Sequence, residues 1–251
     1  MTLLWELNTE DTHYSVRTSG ASIRLYSNRV FHSQWNPNKP FAGGVWDCLS
    51  LPTLYRPADY FKRVLLLGVG GGAVIRQLQQ LIDFDTLSAI EIDEHHLHVA
   101  RHWFGIDDSR VDLQHGDAID WLINYRGQPF DLIIDDLFGH SEGEPLRACA
   151  LSGDWLDALS ANLKDSGLLV VNCVDSAQLK RALPEFDSVG FRYGFRWTLP
   201  TYENAIGVLS RTSLRARDWS RNLEYSELDG PTQRQARLTI RRPLRGLGQQ
   251  P

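Results

Sequence analysis

The sequence predicts an α/β fold: a mostly parallel sheet with helices on both faces, preceded by a small β domain. Three observations predict it. From residue 62, apolar runs of strand length alternate with helical stretches. The alternation ends in two strands, 190–199 and 204–210, joined only by a turn. Residues 1–56 carry short β segments instead.

In chain order, SIRLYS (22–27) and RVFHSQW (29–35) flank an Asn-Arg corner and predict a hairpin. Residues 35–40 hold two Pro and two Asn, which is turn chemistry. A short helix is expected within 42–55, ending near Pro52. RVLLLG (63–68), LSAIEID (87–93), VDLQHG (111–116), FDLIIDD (130–136) and GLLVVNCV (167–174) read as strands. The helices expected after them are 73–82, 94–104, 118–125, a stretch within 145–163, and 177–186. Three units follow: a small β domain (1–56), a nucleoside-binding domain (57–210) and an Arg-rich tail (211–251). The tail has no strong apolar period and is expected to be solvated, partly ordered through Trp219, Leu223 and Tyr225.

Composition excludes several classes. Apolar residues are 42% and charged residues 23%, so a disordered, collagen-like or coiled-coil chain is not expected. No apolar run reaches the length of a membrane span, and the N-terminus lacks the pattern of a signal peptide. Cys48, Cys149 and Cys173 form no C-x-x-C pair, which predicts a reducing, cytoplasmic location without a disulfide framework or zinc site. The net charge of −5 is uneven: 211–251 carries +5 and 1–210 carries −10. An acidic body disfavours nucleic acid and favours a cationic ligand.

The first strand–helix junction reads Gly68-Val69-Gly70-Gly71-Gly72-Ala73. Glycines there permit a sharp turn and a close approach of backbone N–H groups to a ligand, although a plain tight turn has the same composition. The second strand ends in Glu91-Ile92-Asp93, placed to accept from ribose hydroxyls; Asp93 also suits an N-cap. The third junction, His115-Gly116-Asp117-Ala118, offers an acceptor for an adenine amino group or, equally, a helix cap. Three strand ends at this spacing point to an adenosine ligand.

VLLLGVGGGAVIRQL, AIEID, HGDA, FDLIIDD and LPTY resemble the polyamine aminopropyltransferases (spermidine synthase-like proteins), relatives of the class I S-adenosylmethionine-dependent methyltransferases. The resemblance covers about 20–210 and is strongest over 62–136. It implies a Rossmann-like, mostly parallel seven-stranded sheet behind an N-terminal β-hairpin domain, and a homodimer. It implies cofactor contacts from Gly68, Gly70, Gly71, Gly72, Glu91, Ile92, Asp117 and Ala118. It also implies a catalytic Asp136 and a Tyr202 lining an amine pocket.

The chain departs from the family pattern at several positions. The loop carboxylate that grips the aminopropyl ammonium falls on Gly71, and the carboxylate that holds a diamine on Gly139. The Tyr-x-Glu region reads Val45-Trp46-Asp47, and the Gln after the hairpin falls on His32 or Gln34. Gly71 is expected to leave room for the carboxylate of intact S-adenosylmethionine, which would otherwise meet a like charge. Methyl transfer to a small acceptor, possibly an amine, is therefore the leading expectation, with S-adenosylmethionine or its decarboxylated form as co-substrate. Aminopropyl transfer is the alternative. A non-catalytic nucleoside-binding protein and an NAD(P) oxidoreductase stay open, the latter because the loop also satisfies G-x-G-x-x-A.

His140, just past Asp136, is a candidate general base. Trp46, with Trp35, is a candidate wall for a cationic acceptor, and Gln34 a candidate acceptor ligand. His95, His98 and His102 share a helix face, but nothing closes a metal site, so no metal is expected.

Overall fold

The computed structural model describes residues 1–141 and 144–248, with the backbone alone at 140–141 and 144–145. The N-terminal strands β1 (Thr2–Asn8), β2 (His13–Ser19), β3 (Ser22–Ser27) and β4 (Val30–Trp35) form an antiparallel four-stranded meander. The expected β3–β4 hairpin turns at Asn28 and Arg29, both with positive φ (49° and 69°). That is the left-handed geometry that matches strand twist in tight hairpins.

Helix α1 (Val45–Ser50) passes into a 3₁₀ turn, Leu51–Tyr55, with Pro52 in its first turn. The large domain then runs β5 (Arg63–Leu67), α2 (Ala73–Leu81), β6 (Thr86–Glu91), α3 (Glu94–His102), β7 (Val111–His115), α4 (Ala118–Asn124) and β8 (Phe130–Asp135). A hairpin, β9 (Phe138–Ser141) and β10 (Glu144–Arg147), precedes α5 (Gly153–Ala161) and β11 (Leu163–Cys173). Next come α6 (Ser176–Arg181), α7 (Leu183–Ser188), β12 (Tyr193–Thr198) and β13 (Ala205–Ser210). The chain ends with α8 (Ala216–Glu224), α9 (Gly230–Ala236) and β14 (Ile240–Pro243).

The main sheet has the order β14-β12-β13-β11-β8-β5-β6-β7. Neighbours from β11 to β7 pair in parallel, and β13, β12 and β14 add antiparallel. Its central strands are fully buried: Val64–Leu67 and Leu132–Ile134 show no exposure. Each such side chain contributes about 1.5–3 kcal/mol of apolar burial. Two buried clusters cover the two faces, so alternate residues of one strand enter different cores.

Three expectations change. The helix expected over 177–186 is split into α6 and α7, because Pro184 supplies no N–H to a continuous ladder. The sheet has eight strands rather than seven, the addition being β14 on β12. The Arg-rich C-terminal segment is docked rather than solvated. Trp219 and Leu223 have no exposure, and the Trp219 indole N–H donates to the Leu51 carbonyl at 2.9 Å. The Arg241 guanidinium lies 3.7 Å from the Trp219 ring centre. Tyr225, by contrast, is exposed.

Candidate functional site

The carboxyl ends of β5, β6, β7 and β8 open into a cavity of about 430 Å³ that the N-terminal domain and α1 help to wall. Ligands in open parallel sheets bind at this edge. Gly68, Gly70, Glu91, Ile92, Asp117, Ala118, Asp136, Trp46 and Tyr202 all line it. Residues far apart in the chain therefore converge on one cavity.

Glu91 ends β6 and is buried. Its Oε2 accepts from the N–H groups of Val69 and Gly70, each at 2.8 Å, and its Oε1 from Asp93 N–H at 3.1 Å. The glycine loop thus spends two N–H groups on Glu91 rather than presenting them to a ligand, and the carboxylate keeps lone pairs for hydroxyl donors. Gly68 has φ +85°, and a Cβ there would collide with the Asp136 carbonyl. This close approach of the loop to the end of β8 requires glycine.

Asp93 is the N-cap of α3, its Oδ1 accepting from His95 and His96 N–H. Burial works to raise its carboxyl, but His96, the Tyr14 hydroxyl at 2.7 Å and the capping bonds hold it below the usual range. Burial and the same Asp93 bond push the Tyr14 phenol up to about 12. Asp117 caps α4 through Oδ1, to Ile119 N–H at 2.7 Å and Asp120 N–H at 3.3 Å. Both acids are therefore caps and cavity-lining groups at once.

Asp135 and Asp136 face opposite ways, as strand alternation requires. Asp135 accepts from Arg147 at 2.7 Å and from the Trp155 indole at 3.0 Å. Asp136 accepts from Asn172 Nδ2 at 2.7 Å and lines the cavity. Burial pushes its carboxyl up to about 7; Asp135 and Glu91 add to the shift, while the Asn172 bond and Arg147 oppose it. Such a group exchanges a proton near neutral pH.

The remaining candidates separate. Gly71 and Gly72 do not line the cavity: a Cβ on Gly71 would meet Phe104 Cζ at 2.7 Å and Ser33 Cβ at 2.9 Å, and one on Gly72 faces Ile106. Gln34 turns away and accepts from Arg24 Nε at 2.7 Å; His32, on the same strand, lines the cavity instead. Trp35 is core. His140 lies on β9, and its side chain is outside the described part of the structure. His98 stacks on His102 at 4.1 Å and packs near Trp5, while His95 packs edge-on to Tyr14. Among the described residues no cluster of His, Cys, Asp or Glu is arranged to hold a metal. Nor is any helix among them long and apolar enough to cross a membrane.

His96, Asn172 and Asn204, which no sequence pattern marks, also line the cavity. His96 Nε2 lies 2.8 Å from Ser27 Oγ, which ties α3 to the N-terminal meander. Asn172 and Asn204 had no local signal, because each is an isolated amide brought to the site by strand pairing.

Residues 51–206 match the family model described as the spermine/spermidine synthase domain. The chain belongs to that family. It is 36% identical over 171 residues to a polyamine aminopropyltransferase of Streptococcus uberis, covering 56% of this chain and 57% of that one. It is 34% identical over 90 residues to polyamine aminopropyltransferase 2 of Caldanaerobacter subterraneus, covering 35% and 30%. These matches span from under a third to just over half of the relatives' length. The structure of a probable spermidine synthase from Corynebacterium glutamicum superposes with a TM-score of 0.74 at 17% identity, over 96% of this chain and 91% of that one. That likeness shows the shared fold.

These matches correct the leading expectation of methyl transfer, since the family and its relatives are aminopropyltransferases. The direction of the Gly71 Cβ gives the physical reason. The missing side chain at Gly71 points at Phe104 and Ser33, not into the cavity, so its absence opens no space for a methionine carboxylate. The family membership likewise displaces intact S-adenosylmethionine as the expected co-substrate.

Proposed function

We propose that this protein transfers an aminopropyl group from decarboxylated S-adenosylmethionine to an amine acceptor. The observation that carries the reading is Asp136: a half-buried carboxylate directly after β8, titrating near neutrality, in the same cavity as Glu91 and Asp117. Glu91 would receive the ribose hydroxyls and Asp117 the adenine amino group. The residues fit that ligand, because Glu91 is already oriented by three N–H donors and Asp117 is held by its capping bonds. The donor's sulfonium makes its propyl carbon electrophilic.

The chain's own part is positioning and proton transfer. Phe31, Trp46, Phe138 and Tyr202 give the cavity an aromatic wall suited to an ammonium with an apolar stem. Asp136 pairs with the acceptor nitrogen and takes its proton. The nitrogen then forms a bond to the propyl carbon as the carbon–sulfur bond breaks, and that electron pair stays on sulfur, leaving methylthioadenosine.

The test is chromatographic detection of methylthioadenosine from decarboxylated S-adenosylmethionine in the presence of putrescine, spermidine or a simple monoamine. Release that depends on the amine supports the proposal. No release with any amine, at protein concentrations matching the donor, rejects it.

A further inference from the structure

Asn172 stands near the end of β11 and is buried, and Asn204 directly precedes β13. The antiparallel register pairs Asn172 with Ile206, which brings Asn204 alongside it. Asn204 Nδ2 donates to Asn172 Oδ1 at 3.0 Å, and Asn172 Nδ2 donates to Asp136 Oδ1 at 2.7 Å. The main chain of Asn172 is anchored as well, its carbonyl accepting from Arg147 Nη1.

A carboxamide can present either its NH₂ or its oxygen to a neighbour. Only the NH₂ supports an ionised carboxylate; the oxygen supports a protonated one. With Oδ1 occupied by Asn204, Asn172 has one orientation, and it favours the charged form of Asp136.

We propose that Asn204 is a positioning residue for the transfer, acting through Asn172 to hold Asp136 ionised and aimed at the acceptor. This rests on the aminopropyl-transfer reading above. Other groups also act on Asp136: Asp135 on β8, Arg147 on β10 and Glu91 on β6, with His32 and Tyr202 lining the same cavity. Asn204 reaches Asp136 through Asn172, whereas Asp135, Arg147 and Glu91 act on Asp136 through their own charges, which removal of the Asn204 amide leaves in place.

The experiment uses the full chain with Asn204→Ala, Asn172→Leu and the double variant. It has two readouts: amine-dependent methylthioadenosine release against pH, and the titration of Asp136 followed by carboxyl ¹³C NMR, assigned with Asp136→Asn. Asn204→Ala is expected to lower kcat roughly ten- to a hundredfold at neutral pH, as small misplacement of a reacting group does. The acid limb of its pH profile and the Asp136 midpoint should both move to higher pH, with the donor's KM unchanged. The double variant should be no slower than Asn172→Leu alone, because the two residues act in series.

Additive losses, a change confined to KM, or a profile that superimposes on the wild type would overturn the proposal. Should Asn204→Ala fail to fold, Asn204→Leu keeps the shape without the donor and carries the same test. If the wild type transfers nothing, the functional reading itself fails. The NMR midpoint still decides the link between Asn204 and Asp136: unchanged, it rejects the link.

Discussion

Asp135 and Asp136 are neighbours at the end of β8, yet they belong to different environments. Asp135 closes a fully buried ion pair with Arg147 at 2.7 Å, whereas Asp136 is bonded to Asn172 and borders the cavity. One carboxylate serves the fold and the other is available for chemistry.

Substituting each should therefore give opposite phenotypes. Asp136→Asn keeps the shape and removes the proton acceptor, so turnover should fall about 10²–10⁴-fold with nucleoside affinity nearly unchanged. Asp135→Asn leaves Arg147 buried without a counter-charge and should cost about 3–5 kcal/mol. Turnover assays with calorimetric binding check the first, and thermal melts the second. Equal losses of stability in both variants would contradict the division.

Stability should depend on pH in a direction set by two acids, the buried Asp47 and the half-buried Asp136. Burial pushes the carboxyls of Asp47 and Asp136 up to about 7, from ordinary values near 4. The folded chain therefore keeps protons that the unfolded chain releases, and these groups' contribution is complete below about pH 4 and lost as pH rises to about 7. Denaturant melts at pH 5 and pH 7 should show a smaller difference in Asp136→Asn than in the wild type.

Gly71→Asp should destabilise rather than alter ligand choice. Its Cβ meets Phe104 and Ser33 at less than 3.0 Å, so overpacking of about 1–3 kcal/mol is expected. Calorimetry should find the ratio of affinities for the decarboxylated and intact nucleosides unchanged; a reversed ratio would place the new carboxylate in the cavity after all.

Glu91→Gln should weaken methylthioadenosine binding by about 1–3 kcal/mol, the usual loss when hydrogen bonds lose a charged acceptor. Calorimetry checks this, and unchanged affinity would remove Glu91 from the ligand's contacts.

The parallel core was legible because strands such as Arg63–Leu67 and Phe130–Asp135 carry the apolar runs 64–67 and 132–134, ending at glycine or acid. Partial order at Trp219 and Leu223 was legible, but the docking of the whole of 216–248 was not, since those residues stand among arginines and their partner, the 3₁₀ turn at Leu51, lies far away in sequence. At the site, Glu91, Asp117 and Asp136 were legible as acids at strand ends. Asn172 and Asn204 were hidden because only the β11–β13 register joins them. Gly71 misled because composition gives no direction: an absent side chain was read as space in the cavity, and its Cβ vector points into Phe104.

The most direct test follows the transferred carbon. Decarboxylated S-adenosylmethionine labelled with ¹³C in its aminopropyl chain is incubated with the protein and an amine and monitored by NMR. The account predicts that the label moves from carbon bound to sulfonium to carbon bound to the acceptor's nitrogen, and that Asp136→Asn slows this at least a hundredfold. Label that stays on sulfur with every amine, while intact S-adenosylmethionine loses its methyl group to an acceptor, would contradict it.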